Sequence, residues 1–65
     1  MDNDTLFEVF KAAIVSEHDA YEFYQKAAKN YANNAEAKML FEKFAAVELR
    51  HKQDLEELYK TLKNK

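Results

Sequence analysis

The chain has 65 residues, a net charge of −2, and no cysteine, glycine or proline. The missing glycine and proline argue against β-hairpins, sandwiches and most α/β folds, which need these residues at turns, and no basic stripe points to nucleic acid. Disulfides are excluded and a single core is marginal at this length, so we expect an all-α domain that gains stability from a metal, from oligomerisation or from both.

The sequence gives no sign of a membrane or of export. Its apolar runs are far shorter than a membrane span, and no charged-then-apolar leader precedes a cleavage site. We therefore expect a cytoplasmic protein without a membrane partner.

The first predicted helix covers about residues 5–31. The residues of one helix face, which we call the seam, recur at alternating spacings of three and four. This pattern is typical of a helix packed nearly parallel or antiparallel to another. Thr5, with Glu8 three residues later, has the form of an N-terminal capping box. The seam comprises Phe7, Phe10, Ile14, Glu17, Tyr21, Tyr24, Ala28 and Tyr31.

A turn is predicted at about residues 32–34, inside the asparagine-rich stretch NYANNAEA. Asn33 with Glu36 has the form of a second capping box. The second helix then covers about residues 35–62. Its seam comprises Phe41, Phe44, Glu48, His51, Leu55, Leu58 and Leu62.

One short break between two long helices predicts a single antiparallel helical hairpin over residues 1–65. Each helix would be roughly 40 Å long at about 1.5 Å per residue. A hairpin covers only one flank of each seam, and the remaining apolar patch marks an association surface. The simplest closed arrangement is a C₂ homodimer that forms a four-helix bundle, although a higher even oligomer or a different hairpin partner also fits.

Three ionisable residues occupy seam positions where apolar residues are expected: Glu17, Glu48 and His51. Glu17 lies about 15 residues before the turn and Glu48 about 15 after it, so an antiparallel hairpin brings them to the same height. Glu48 and His51 are three residues apart and project from one helix face.

A dimer doubles this set to four carboxylates and two imidazoles at one level. Bundles that bind two iron or two manganese ions use this set, with one Glu from each of two helices and Glu-x-x-His from each of the other two. Four buried carboxylates would be costly without a partner, and two divalent cations balance their charge. We predict two iron ions per dimer, although the ligand types also suit manganese or zinc.

Other candidates have weaker signals. His18 rotates off the seam and is predicted to be a solvated surface residue, with assistance in metal entry as the alternative. Tyr21 and Tyr24 are predicted to be core aromatics, with a place near the metal as the alternative. No catalytic residue beyond the metal ligands and no organic cofactor is predicted.

Two stretches carry a family resemblance: AIVSEHDAYEFYQKAA in the first helix and FEKFAAVELRHKQDLEELY in the second. They resemble the metal-binding helices of rubrerythrin-like proteins in the ferritin-like superfamily, and the resemblance covers nearly the whole chain. It implies ligand roles for Glu17, Glu48 and His51, and a ferroxidase or rubrerythrin-like oxidoreductase that oxidises Fe(II) with O₂ or peroxide.

The chain also departs from the family pattern. The usual member has four helices and two copies of the set formed by one Glu and one Glu-x-x-His. This chain has one copy, which again requires a dimer. Rubrerythrins proper also carry a cysteine-ligated iron centre, which a chain without cysteine lacks. Encapsulated ferritins are a closer analogue because they build the site between two-helix chains, but those proteins usually carry a docking tail, and a sequence that stops at TLKNK gives no reason to expect docking into a shell.

A second reading belongs to a different functional class. The hairpin would be an assembly module, and its polar or metal-bound layer would fix register and partner choice without catalysis, as buried polar groups do in coiled coils.

Overall fold

Two helices form an antiparallel hairpin in the computed structural model, which describes residues 3–64. Helix α1 spans Asn3–Asn30 and helix α2 spans Ala35–Lys63, with residues 31–34 as the turn. The hairpin is a rod with extents of 48 × 15 × 13 Å. The predicted all-helical class is thus confirmed, and no strand occurs within residues 3–64. Residues 1, 2 and 65, which the predicted domain includes, lie outside the described range.

The helix starts differ from the predicted capping boxes. Helix α1 begins at Asn3, so Thr5 lies inside its first turn and the prediction that it caps the helix was wrong. The cap of α2 is Asn34 rather than Asn33, because Asn34 has the extended backbone that a cap needs and its Oδ1 accepts a 3.1 Å hydrogen bond from the Ala37 N–H.

Aromatic contacts fix how the two helices align. Near the open end of the hairpin, the rings of Phe7 and Tyr59 meet edge to face with centroids 5.5 Å apart. Nearer the turn, Tyr24 lies 5.3 Å from Phe44 and 6.4 Å from Phe41. These rings bury large apolar surfaces in specific geometries. They hold a register in which residues equally distant from the turn lie beside each other.

The hairpin buries very little by itself. Within the described residues, only Ala28 and Ala45 count as buried, at 6% and 5% exposure. These small side chains allow the two helices to approach closely, but larger apolar side chains remain partly in water. Neither helix of the described chain combines the length and the apolarity needed to cross a membrane.

One exposed apolar stripe runs along α2, and we call it the α2 stripe. Its members are spaced four, three, four and seven residues apart, so they share one helix face. The apolar members range from 39% to 48% exposed. The α2 stripe consists of Leu40, Phe44, Val47, His51 and Leu58.

The asparagine cap gives a direct test of the turn. Replacing Asn34 by Ala removes the acceptor for the Ala37 N–H and should lower the free energy of unfolding by about 1 kcal/mol. The matched control is Asn33→Ala, which should change it by less than about 0.5 kcal/mol. Urea titration followed by circular dichroism measures both, and equal effects of the two substitutions would contradict the assignment of the cap.

Candidate metal centre

The middle of each helix contributes to one cluster of ionisable side chains. Glu17 comes from α1, while Glu48 and His51 come from α2 and lie one turn apart. The aromatic contacts on either side of this level set the alignment that brings Glu17 beside the α2 pair. The structure therefore places the three predicted ligands together, and their role as ligands remains a prediction.

The spacing of the three side chains suits a shared cation. Each offers one ligand atom, and these atoms all lie within 4.8 Å of one another. Nδ1 of His51 lies 3.5 Å from Oε2 of Glu17 and 3.9 Å from Oε2 of Glu48. The two carboxylate side chains are 26% and 23% exposed, whereas that of His51 is 54% exposed. His51 is thus the member of the cluster that faces outward from the hairpin.

One oxygen of the cluster lacks a partner. Oε2 of Glu17 is buried and makes no hydrogen bond, and its 3.5 Å contact with Nδ1 of His51 is an ion pair only when the imidazole is protonated. An unsatisfied buried polar atom costs about 1–3 kcal/mol, and more if it is charged. A cation beside this oxygen would satisfy it, and two carboxylates with an imidazole form a donor set that iron, manganese and zinc accept. The residues present therefore fit a metal.

The electrostatics of the cluster point the same way. The pKa of the Glu48 carboxyl is raised above its ordinary value of 4.5, first by a hydrogen bond with the Glu17 side chain, then by desolvation and by the Glu17 charge; His51 acts in the opposite direction. Two carboxyl groups this close hold a shared proton more readily than two charges. A divalent cation bound by both carboxylates would take the place of that proton.

His18 makes contacts that its sequence position did not predict. Its side chain is 43% exposed, in agreement with the prediction of a surface residue, but it lies between two side chains. Its Nδ1 is 3.1 Å from Nζ of Lys52 on the other helix, and its Nε2 is 2.8 Å from Oε1 of Glu22. Lys52 was missed altogether. Lys52 lies farther from the turn than His18, and its long side chain extends along the hairpin to reach it. Equal spacing from the turn therefore does not predict this contact.

The two tyrosines lie in other contacts. Tyr24 packs among Phe23, Phe41 and Phe44, in agreement with its prediction as a core aromatic. The Tyr21 hydroxyl oxygen accepts a hydrogen bond of 2.6 Å from Gln25 on its own helix.

A helix pair with one Glu on one helix and Glu-x-x-His on the other is half of the ligand arrangement of di-iron and di-manganese carboxylate bundles. Comparison with protein families identifies the class more closely: the model of the family described as Rubrerythrin matches residues 8–65. The chain therefore belongs to the rubrerythrin family, a member of the ferritin-like superfamily, and membership implies iron binding. Comparisons with curated proteins and with solved structures find no match.

The raised pKa of Glu48 predicts how the metal-free protein responds to pH. A carboxyl group whose pKa is higher in the folded state binds its proton more tightly there, so its stabilising contribution is full below pH 4.5 and is lost as pH rises through the folded pKa. Glu48→Gln keeps a neutral hydrogen-bonding side chain at every pH. In a chelator, the variant should gain in melting temperature relative to the wild type as pH rises above 4.5.

Thermal unfolding at a series of pH values measures this difference. Glu56→Gln is the matched control, because Glu56 is an exposed carboxylate on the same helix, and its difference from the wild type should not follow the same curve. A Glu48→Gln difference that is constant with pH, or that shrinks above pH 4.5, would contradict the coupling of the two carboxyl groups.

Proposed function

We propose that two copies of this chain form a four-helix bundle that binds two iron ions between them and oxidises Fe(II), with O₂ or hydrogen peroxide as the electron acceptor. One observation carries the proposal: the three predicted ligands lie within 4.8 Å of one another, and one of them, His51, belongs to the exposed α2 stripe. The site is thus on the face that a second copy would cover.

The ligand count supports a shared site. One chain supplies two carboxylates and one imidazole, which leaves much of the coordination shell of an iron ion open. Two copies supply four carboxylates and two imidazoles, the set found in two-metal carboxylate bundles. Two Fe(II) ions also neutralise the four carboxylates. A second copy would therefore both complete the ligand set and allow the negative charge to be balanced.

The surface area supports a second copy independently. The hairpin exposes 5167 Å², against about 4,300 Å² for a compact folded monomer of 7.7 kDa. The excess of roughly 800–900 Å² is close to the area that each partner contributes to a standard protein interface, about 800 Å². Pairing along the α2 stripe would remove surface of this order.

An exposed phenylalanine of α1 extends the same face. Phe23 is 64% exposed, and its ring contacts Tyr24, which in turn contacts Phe44 of the α2 stripe. The face is therefore continuous from one helix to the other. A contiguous exposed apolar surface of this kind marks an association site.

The roles of the residues follow from their chemistry. Glu17 and Glu48 bind as anions and stabilise the higher charge of Fe(III) over Fe(II), while His51 binds as the neutral imidazole through a nitrogen lone pair. Bound iron would supply the redox chemistry: two Fe(II) ions would give the two electrons that, with two protons, reduce O₂ to hydrogen peroxide or hydrogen peroxide to two water molecules. The aromatic contacts near the turn keep the helices aligned.

Removal of single ligands tests the assignment of the site. The wild type should bind about one Fe(II) per chain under anaerobic conditions and should form Fe(III) when oxidant is added. Glu48→Ala and His51→Ala should each weaken iron binding by about 100-fold or more, since even partners outside the coordination shell cost 10–100-fold. Iron titration and absorbance of the ferric product measure the two effects.

Glu56→Ala provides the matched control and should bind and oxidise iron like the wild type. Circular dichroism verifies that each variant stays helical. Fe(II) oxidation that persists in both ligand variants would show that the metal centre lies elsewhere. A wild-type dimer that does not bind iron would favour the assembly module.

Disruption of the proposed interface should also abolish iron binding, although no ligand is changed. Leu58→Lys places a charge on the α2 stripe, seven residues from His51, and burying that charge against a second copy is unfavourable. The variant should be monomeric at concentrations where the wild type is dimeric, and its iron affinity should fall by at least about tenfold.

Val15→Lys is the control for the added charge. Val15 is 58% exposed, but its neighbours one turn away include Lys11 and Asp19, so it lies on a polar side of α1. This variant should remain dimeric and bind iron normally. Sedimentation and iron titration compare the two, and a monomeric Leu58→Lys variant with unchanged iron affinity would contradict the shared site.

A further inference from the structure

The hairpin carries a polar contact between its helices beside the metal cluster, formed by Lys52, His18 and Glu22. Nζ of Lys52 on α2 lies 3.1 Å from Nδ1 of His18 on α1, and Nε2 of His18 lies 2.8 Å from Oε1 of Glu22 one turn further along α1. We call these three residues the clasp. It joins the two helices through one imidazole ring.

The two neighbours of His18 assign its hydrogen-bonding roles. An ammonium group only donates hydrogen bonds, so Nδ1 must accept from Lys52. Nε2 then carries the ring proton and donates it to the Glu22 carboxylate. Each of the three groups therefore has a complementary partner, and the orientation of the ring is fixed from both sides.

The clasp lies next to the predicted ligands in sequence but on another side of each helix. His18 follows Glu17 and Lys52 follows His51. One residue turns the chain by about 100° around the helix axis, so the clasp does not occupy the cluster itself. It connects the two helices near the level of the cluster, on a side of the hairpin that the α2 stripe does not occupy.

Few other polar contacts fix that level. Outside the cluster, the other side-chain hydrogen bonds found within residues 6–64 join positions three or four apart in the chain. The aromatic contacts on either side set how the helices align lengthwise, but the buried side chains between the helices are small alanines, which offer little steric resistance to a rotation of one helix about its own axis. A rotation of α1 would carry Glu17 away from Glu48 and His51.

We infer that Lys52 and His18 are positioning residues, which hold Glu17 at the distance from Glu48 and His51 that metal binding requires. The inference rests on the proposed metal site and extends it to residues outside the coordination shell. The competing account is that the clasp is an ordinary partly exposed contact, since such pairs contribute little to stability. The two accounts differ in what happens to metal affinity.

Co(II), added alone under anaerobic conditions, is the probe, because its visible absorption reports both affinity and coordination geometry. Lys52→Met and His18→Leu remove the contact between the helices. Each should weaken Co(II) binding by about tenfold, the lower end of the effect of residues outside the coordination shell, and should shift the visible bands. His18→Asn keeps an acceptor near the position of Nδ1 and should recover most of the affinity.

Lys38→Met is the matched control. It makes the same change on the same helix, but Lys38 pairs with Glu42 within α2, at 3.2 Å, and does not reach α1. This variant should bind Co(II) like the wild type. The helix content, the mass and the metal-free melting temperature of every variant separate a loss of positioning from a loss of folding, because a purely structural role lowers the melting temperature and leaves affinity and spectrum unchanged.

The outcomes separate the clasp from the proposed function. If the wild type binds Co(II), Glu48→Ala abolishes binding, and Lys52→Met binds within twofold of the wild type, the clasp inference is overturned and the metal site stands. Equal losses in Lys38→Met and Lys52→Met, or equal losses in His18→Asn and His18→Leu, also overturn it. A wild type that binds no Co(II), or a Glu48→Ala variant that binds normally, overturns the metal site and the clasp together.

Discussion

A pair of antiparallel helices has a single line of contact, and this limit governs the rest of the molecule. Each helix has an apolar seam wider than that line, so one flank packs against the partner helix and the other faces water. The described part of the chain reflects this: its buried residues are alanines, and valines, leucines and phenylalanines remain exposed. Fold and function are linked because the uncovered flank contains His51.

The placement of charge follows from the same limit. Glu17 and Glu48 lie at the contact line, where water is partly excluded, and one oxygen of Glu17 has no hydrogen bond. The raised pKa of Glu48 expresses the cost of holding two carboxylates there. A hairpin that served only as a scaffold would be more stable with leucine at both positions. Retaining the carboxylates is understandable if a cation neutralises them.

Much of this arrangement could be predicted from the sequence because it depends on spacing. The alternation of three and four residues gives the helices, the asparagine cluster gives the turn, and equal distances from the turn bring Glu17 beside Glu48. Details that depend on local backbone angles or on long side chains could not be predicted. The cap of α2 falls on Asn34 because of its extended backbone, and Lys52 reaches His18 only because a lysine side chain spans more than one helical turn.

The central claim is that two copies share one two-metal site. Native mass spectrometry after anaerobic loading with Fe(II) tests it most directly, because it reports oligomeric state and bound iron on the same particle. Our account predicts that iron occurs on dimers or higher even assemblies, at two ions per pair of chains, and that monomers carry none. Iron on monomers, or dimers that stay free of iron when it is in excess, would contradict the account.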